Sequence, residues 1–346
     1  MLLLYVIFIT ISIVFCEEST FPQIGRVACE DLDINIYCTS IRSSEPNFNA
    51  LDGCFSYKRM INLRSCSPSV LPALDPLFLI WNKFYYQLLW EPIAVNASNL
   101  GWKSLDADSF VNYTIPWKLI ADHNELKTLP DGIFANAKNF NYLDVSYNRF
   151  EYIESIEEAG VAKLETLIIS HNNIGAVGEK TFKNFNNLKT LDLSFNNLTN
   201  IDVGAFDLLS NLINLSIAYN SLSYLDFGIF SPLTSIQSID ISHNDLHTMD
   251  FRVHLPVFRH LNRINMESNQ MNAAYGFDSS TFPILSYLSL RNNSFDCGNL
   301  QNILSTFDLK QLDLAIDPSK KVKAGYAFRG IACQPPKGVF AFRKRR

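Results

Sequence analysis

Three histidines, His123, His171 and His243, recur at one place in a repeating pattern, with Ser170 and Ser242 directly before two of them and Asp144, Asp192 and Asp240 on neighbouring segments. Two chemistries draw on such residues. Zinc takes imidazole nitrogens at about 2.1 Å. Hydrolysis by a serine nucleophile takes a Ser-His-Asp chain with an oxyanion hole. Spacing excludes the first: on strands about 4.8 Å apart, His123 and His171 stand on the order of 10 Å from each other and His171 and His243 about 14 Å. Direction excludes the second, because Ser170 and His171 are adjacent on one strand and their side chains diverge. The chain offers no strained nucleophile turn, glycine-rich phosphate loop or H-E-x-x-H. It reads as a non-enzyme without metal or cofactor.

The elements that position these residues are written in eight asparagines: Asn124, Asn148, Asn172, Asn196, Asn220, Asn244, Asn269 and Asn293, spaced by 24 residues with one gap of 25. Around each runs the frame L-x-x-L-x-L-x-x-N-x-L, clearest in Leu188-Lys-Thr-Leu191-Asp-Leu193-Ser-Phe-Asn196-Asn-Leu198. A period of this size with this frame is the leucine-rich repeat pattern. The L-x-L segment alternates apolar and polar residues, so it predicts a short strand with Leu191 and Leu193 inward and Asp192 and Ser194 outward. Stacked copies pair in parallel, and the remaining residues supply each crossover. Phe134, Phe182, Phe206 and Phe230, ten residues past their asparagines, form a second core layer there. The asparagine follows the strand where the chain turns; its short amide both donates and accepts, satisfying buried backbone groups. The predicted class is α/β: a horseshoe solenoid with a parallel concave sheet and disulfide-stapled caps.

Weaker copies extend upstream. Trp90-x-x-Ile93-x-Val95-x-x-Ser98-x-Leu100 fits with Ser for Asn, and Ile61-Asn-Leu63-Arg-Ser-Cys66 fits the middle of the frame. Between them Leu77 to Trp90, interrupted by Asn82, Lys83 and Gln87, predicts an enlarged crossover; it is too short and polar to span a membrane.

Residues 1–16 read as a secretory signal peptide: Met1 to Phe15 carry no charge and Glu17-Glu18 follow Cys16. Residues 17–89 form a cysteine-bearing N-terminal cap with a degenerate repeat, 90–295 the repeats, 296–337 a C-terminal cap and 338–346 a basic tail. Export agrees with cysteine placement. Cys29, Cys38, Cys54 and Cys66 precede the regular repeats, Cys297 and Cys333 follow them, and none lies between. A solenoid exposes its core at two ends, and disulfide-stapled caps cover such ends in an oxidising compartment. Cys297 pairs with Cys333; the first four allow three pairings, of which Cys29–Cys38 with Cys54–Cys66 is preferred. N-x-S/T sequons at Asn96, Asn112, Asn197, Asn214 and Asn292 fit a secreted glycoprotein. A net charge of −5 argues against nucleic acid as partner, and no later segment is long and apolar enough for a transmembrane anchor. The tail Arg343-Lys344-Arg345-Arg346 is a solvated end, a processing site or a contact for acidic glycans or lipid head groups.

Frame positions three, five, seven and eight face the concave side. The eighth gives His123, Tyr147, His171, Phe195, Tyr219 and His243, then Ser268 and Asn292. Large rings beside Asp144, Asp192 and Asp240 suit a protein-binding surface, although Ser followed by a ring before the Asn is also ordinary repeat chemistry. Positive charge gathers later, in Arg252, His254, Arg259, His260 and Arg263, with Arg291 on the next concave strand. A ligand lying along the concavity would meet an acidic half and then a basic half.

These residues resemble the extracellular, typical 24-residue leucine-rich repeat family from Trp90 to Phe295, and Asn293-Ser-Phe295-x-Cys297 resembles the start of its C-terminal cap. The vertebrate cap usually has four cysteines; here only Cys297 and Cys333 are present. The whole is more similar to secreted insect members, including mosquito leucine-rich immune molecules. That resemblance implies innate immune recognition of a protein or microbial surface ligand, with homo- or hetero-dimers; long members add a coiled coil, for which this chain has no heptads. The alternative is an extracellular matrix or developmental adhesion protein that modulates a receptor. A third class, an inhibitor of a secreted enzyme, also fits a binding protein of this kind.

Overall fold

The computed structural model describes residues 26–29, 33–37, 60–64, 93–106, 117–135, 137, 140–154, 156, 159–252, 257–317 and 326–335. The signal segment, the Leu77–Trp90 crossover, His254, Asn112, Cys38, Cys54, Cys66, the side chain of Cys29 and the basic tail lie outside the described residues. The chain forms two compact units, 1–172 and 173–346.

The first unit contains β1 (Arg26–Cys29), β2 (Asp33–Tyr37), β3 (Met60–Arg64), β4 (Ile93–Asn96), β5 (Trp117–Ile120), β6 (Tyr142–Asp144) and β7 (Thr166–Ile168). β1 and β2 are antiparallel; every later neighbour, β2 through β7, pairs in parallel. The frame sets the register, Leu119 opposite Leu143 and Leu143 opposite Leu167, and all three leucines are fully buried. Each buried leucine of this kind contributes about 1.5–3 kcal/mol, so a slip by one residue, which would turn the whole set outward, is excluded. On the crossover side Phe134 and Phe140 stack at 4.2 Å. Turns here pack closely: a Cβ at Gly160, where φ is +89°, would lie 2.8 Å from the Ala135 nitrogen.

The second unit continues with β8 (Ala176–Val177), β9 (Thr190–Asp192), β10 (Asn200–Ile201), β11 (Asn214–Ser216), β12 (Ser238–Asp240), β13 (Thr248–Asp250), β14 (Arg263–Asn265), β15 (Ala273–Tyr275) and β16 (Tyr287–Ser289). Helix α1 (Cys297–Ser305), β17 (Asp313–Ala315), β18 (Ala327–Phe328) and β19 (Ile331–Ala332) complete it. Its main sheet is parallel in the order β9, β11, β12, β14, β16, β17. Two small parallel pairs, β8 with β10 and β13 with β15, stitch neighbouring crossovers. Phe182, Phe206 and Phe230 are buried, as the spacing predicts, together with Phe185, Phe251 and Phe258.

Both units are parallel-sheet solenoids. The crossovers are mostly turns and short strands; among the described residues the helical segments with given bounds are a 3-10 turn at Val257–His260 and the nine-residue α1. Asp296 starts it by accepting the Asn299 N–H at 2.8 Å, which satisfies a donor that a helix N-terminus leaves open. Leu300, Ile303 and Leu304 are buried, with the helix packed against β15 and β18, and the Cys297–Cys333 disulfide fixes the first helical residue to the residue that follows β19.

Candidate binding face

The geometry of the face begins at the asparagines. Asn148 Oδ1 accepts the Leu126 N–H at 2.9 Å, and its Nδ2 donates to the carbonyls of Ala121, Val145 and Ser146 at 2.9, 3.1 and 3.0 Å. One amide thus bridges its own turn to the previous one. Asn172, Asn220, Asn244, Asn269 and Asn293 make the same set of contacts. Asn196 accepts from Ile174 and donates to Leu193 and Ser194. Asn124 accepts two N–H groups, of Leu100 and Trp102.

The residue before each asparagine is left-handed. His123, Tyr147, His171, Phe195, Tyr219, His243, Ser268 and Asn292 all have φ between 52° and 55°. A non-glycine residue there costs roughly 1–2 kcal/mol, which the asparagine bonds around it offset. The reversal takes the eighth side chain out of strand alternation, and in every described copy with a ring the rings lie flat on one another. In the first unit His123 stacks on Tyr147 at 4.1 Å and 13°, and Tyr147 on His171 at 3.9 Å and 11°. In the second, Phe195 stacks on Tyr219 at 4.0 Å and Tyr219 on His243 at 3.9 Å, each tilted by 10°. Tyr147, Phe195 and Tyr219 are 40–44% exposed. At such spacing the faces cover each other, so the surface presented is a comb of ring edges.

The seventh row differs from expectation. Ser146, Ser170, Ser194, Ala218 and Ser242 are buried, not exposed. The left-handed turn that follows carries the eighth residue outward and leaves the seventh against the body of the repeat. The aspartates hold this bend: Asp144 Oδ1 accepts the N–H and hydroxyl of Ser146 at 3.0 and 2.7 Å, and Asp240 those of Ser242 at 2.9 and 2.6 Å. Asp192 accepts the Ser194 N–H. These carboxylates are half-buried parts of the turn as well as surface charges. Burial first, then Asp144 and Asp122, raises the Tyr142 phenol above its ordinary value, so Tyr142 stays neutral.

Charge on the second unit is also more local than the sequence suggests. Arg291 pairs with Glu267 through two contacts of 2.5 and 3.0 Å, and Ser289 donates to the same carboxylate at 2.7 Å. His243 Nε2 lies 3.7 Å from Glu267. The guanidinium holds the Glu267 carboxyl below its usual range and is itself pushed up. Arg252 is bound to Asp250. Arg263 lies 3.6 Å over the ring of Tyr287. The histidines are set apart by rings: Tyr147 separates His123 from His171, and His123 Nδ1 contacts Asp122 at 2.6 Å. Asn197 and Asn214 are exposed, Asn214 on the strand face; Asn292 donates to Ser268, and the Asn96 side chain accepts from Ser98.

Residues 118–174, 162–212 and 186–246 each match the leucine rich repeat family. These turns are leucine-rich repeats. No curated protein sequence matches the chain. Among solved structures, a chain of the octameric complex of Latrophilin 3, Unc5D and the LRR part of FLRT2 superimposes with a TM-score of 0.61 at 17% identity, over 88% of this chain and 95% of that one. An LRR protein of Leptospira interrogans gives 0.58 at 16% identity, over 77% and 67%. At these identities the likeness is one of leucine-rich repeat fold. The leucine-rich repeat domain of APL1B gives 0.49 at 19% identity, over 84% and 90%, too loose a fit to argue from. Among the described residues no helix is long and apolar enough to cross a membrane.

Proposed function

We propose that this chain is a secreted recognition protein which binds a protein or microbial surface ligand through the exposed sheet face of its leucine-rich repeats, in innate immunity. The observation that carries this reading is the ring row. Side chains held in a costly backbone conformation, stacked and half-exposed, form a rigid surface that loses little entropy on binding. Rings and arginine are the residues that dominate protein interfaces, and both occur on this face. Catalysis has no comparable support: the serines of the seventh row donate to aspartates or are buried, and none is bonded to a histidine in the contacts described above.

The test is capture from extracellular fluid of the source organism with the tagged mature chain, beside variants Tyr147→Asn, Phe195→Asn and Tyr219→Asn. Asparagine tolerates positive φ, so these changes remove rings without adding backbone strain. A bound protein lost from the variants supports the reading; equal recovery moves the binding surface to the crossovers or caps. Transcript that rises after microbial challenge fits immunity, whereas constant expression in a patterned tissue fits matrix or adhesion.

A further inference from the structure

Arg263 is held differently from the ion-paired arginines Arg149, Arg252 and Arg291. Arg149 meets Glu125 at 3.2 Å, Arg252 meets Asp250, and Arg291 meets Glu267. The Arg263 guanidinium lies 3.6 Å over the Tyr287 ring; among the described residues no carboxylate lies within ion-pair distance of it. The acids near it are engaged elsewhere: Asp240 by Ser242 and Asn265, Glu267 by Arg291 and Ser289. The register explains the geometry. Arg263 sits in the third row of β14 between Ser238 on β12 and Tyr287 on β16. The short serine leaves one side open, and the ring supports the other.

A guanidinium resting on a ring keeps its N–H fork directed along its edges. The support lowers the entropy lost when that fork meets an acceptor, and attraction to the ring face holds it in place without consuming its hydrogen bonds. The analogous pair in the first unit, Lys118 over Tyr142 at 5.4 Å, is looser and ends in a compact ammonium. We propose that Arg263, braced on Tyr287, is the anchor for one carboxylate side chain of a protein partner. The inference rests on the sheet face being the binding surface. A protein carboxylate is favoured over a polyanionic glycan because Asp192, Asp240 and Asp313 lie on strands of the same sheet, with Glu267 just past the end of β14. They would repel a run of negative charge while leaving room for a single one.

The probe is a random 12-residue peptide library panned on the immobilised mature chain, with heparin beads in a parallel arm. Selected peptides should share one Asp or Glu and bind Arg263→Gln at least tenfold more weakly, with Arg263→Lys and Tyr287→Leu in between. They should also weaken as salt rises. Unchanged thermal unfolding of Arg263→Gln checks that the fold is intact. Selected peptides that bind Arg263→Gln as well as wild type, yet lose affinity for Tyr219→Asn, overturn this inference and leave the binding face standing. Peptides indifferent to both changes, or no selection at all, count against the face itself. Retention on heparin that depends on Arg263 overturns the carboxylate in favour of an acidic glycan.

Discussion

The His171 imidazole lies 3.9 Å from the Tyr147 ring, tilted by 11°, although 24 residues separate them in the chain. Both residues are left-handed, and both precede an asparagine that ties its turn to the one before. The ladder of amides therefore holds the ladder of rings. Removing one amide should be expensive. Asn148→Ala leaves the Leu126 N–H without its acceptor, while the carbonyls of Ala121, Val145 and Ser146 keep the Asn124 amide, the Asn172 amide and the His123 N–H; it is expected to cost about 1–3 kcal/mol. Asn148→Asp, which cannot donate, should cost as much. Urea unfolding measures both; a loss under half of that would mean the turns close without the amide.

The backbone strain can be separated from the stacking. Tyr219→Asn loses two ring contacts and should cost about 1 kcal/mol. Tyr219→Ile loses the same contacts and forces a β-branched residue into positive φ, adding about 1–2 kcal/mol. Thermal unfolding of the two variants reads the difference. Equal midpoints would show that the left-handed turn relaxes at no cost.

How much of this was legible beforehand depends on which residues one asks about. The asparagine spacing alone specified strands, register and the buried phenylalanines, because each is a local rule repeated. The ring row was visible as a column of residue types. Its stacking was not, because nothing in one repeat says that its eighth residue is left-handed. The same turn explains why Ser146 and Ser194 are buried where alternation puts them outside. Glu267 and Arg291 share the seventh column in consecutive frames, so their pairing had a signal: opposite charges one period apart. Reading Arg291 as a free cation overlooked it. The pairs β8–β10 and β13–β15 depend on how crossovers settle against each other, which the leucine frame leaves unspecified.

The Glu267 pair gives a pH dependence of known sign. Its folded carboxyl titrates below the ordinary value, chiefly through Arg291. The contribution is fully present above the unfolded carboxylate range and is lost as pH falls through the lowered folded value. Wild type should therefore exceed Glu267→Gln in urea midpoint at pH 7, with the gap closing towards pH 3. A gap that stays constant would show that the pair adds nothing through charge.

The disulfide binds the helix that covers the end of the second unit. Replacing both partners, Cys297→Ser with Cys333→Ser, should cost about 2–4 kcal/mol for a loop of this length. Hydrogen exchange should then rise first in α1 and the β18–β19 hairpin. Uniform loss of protection across the second unit would mean that the bridge supports the whole stack.

The claim on which the rest turns is that the ring rows touch the partner. A photoreactive benzophenone side chain placed at Tyr147, at Tyr219 or, on a crossover, at Lys183 tests it in native extracellular fluid. Cross-linked protein from positions 147 and 219, with none from 183, is the predicted result. Adducts from position 183 alone would contradict it.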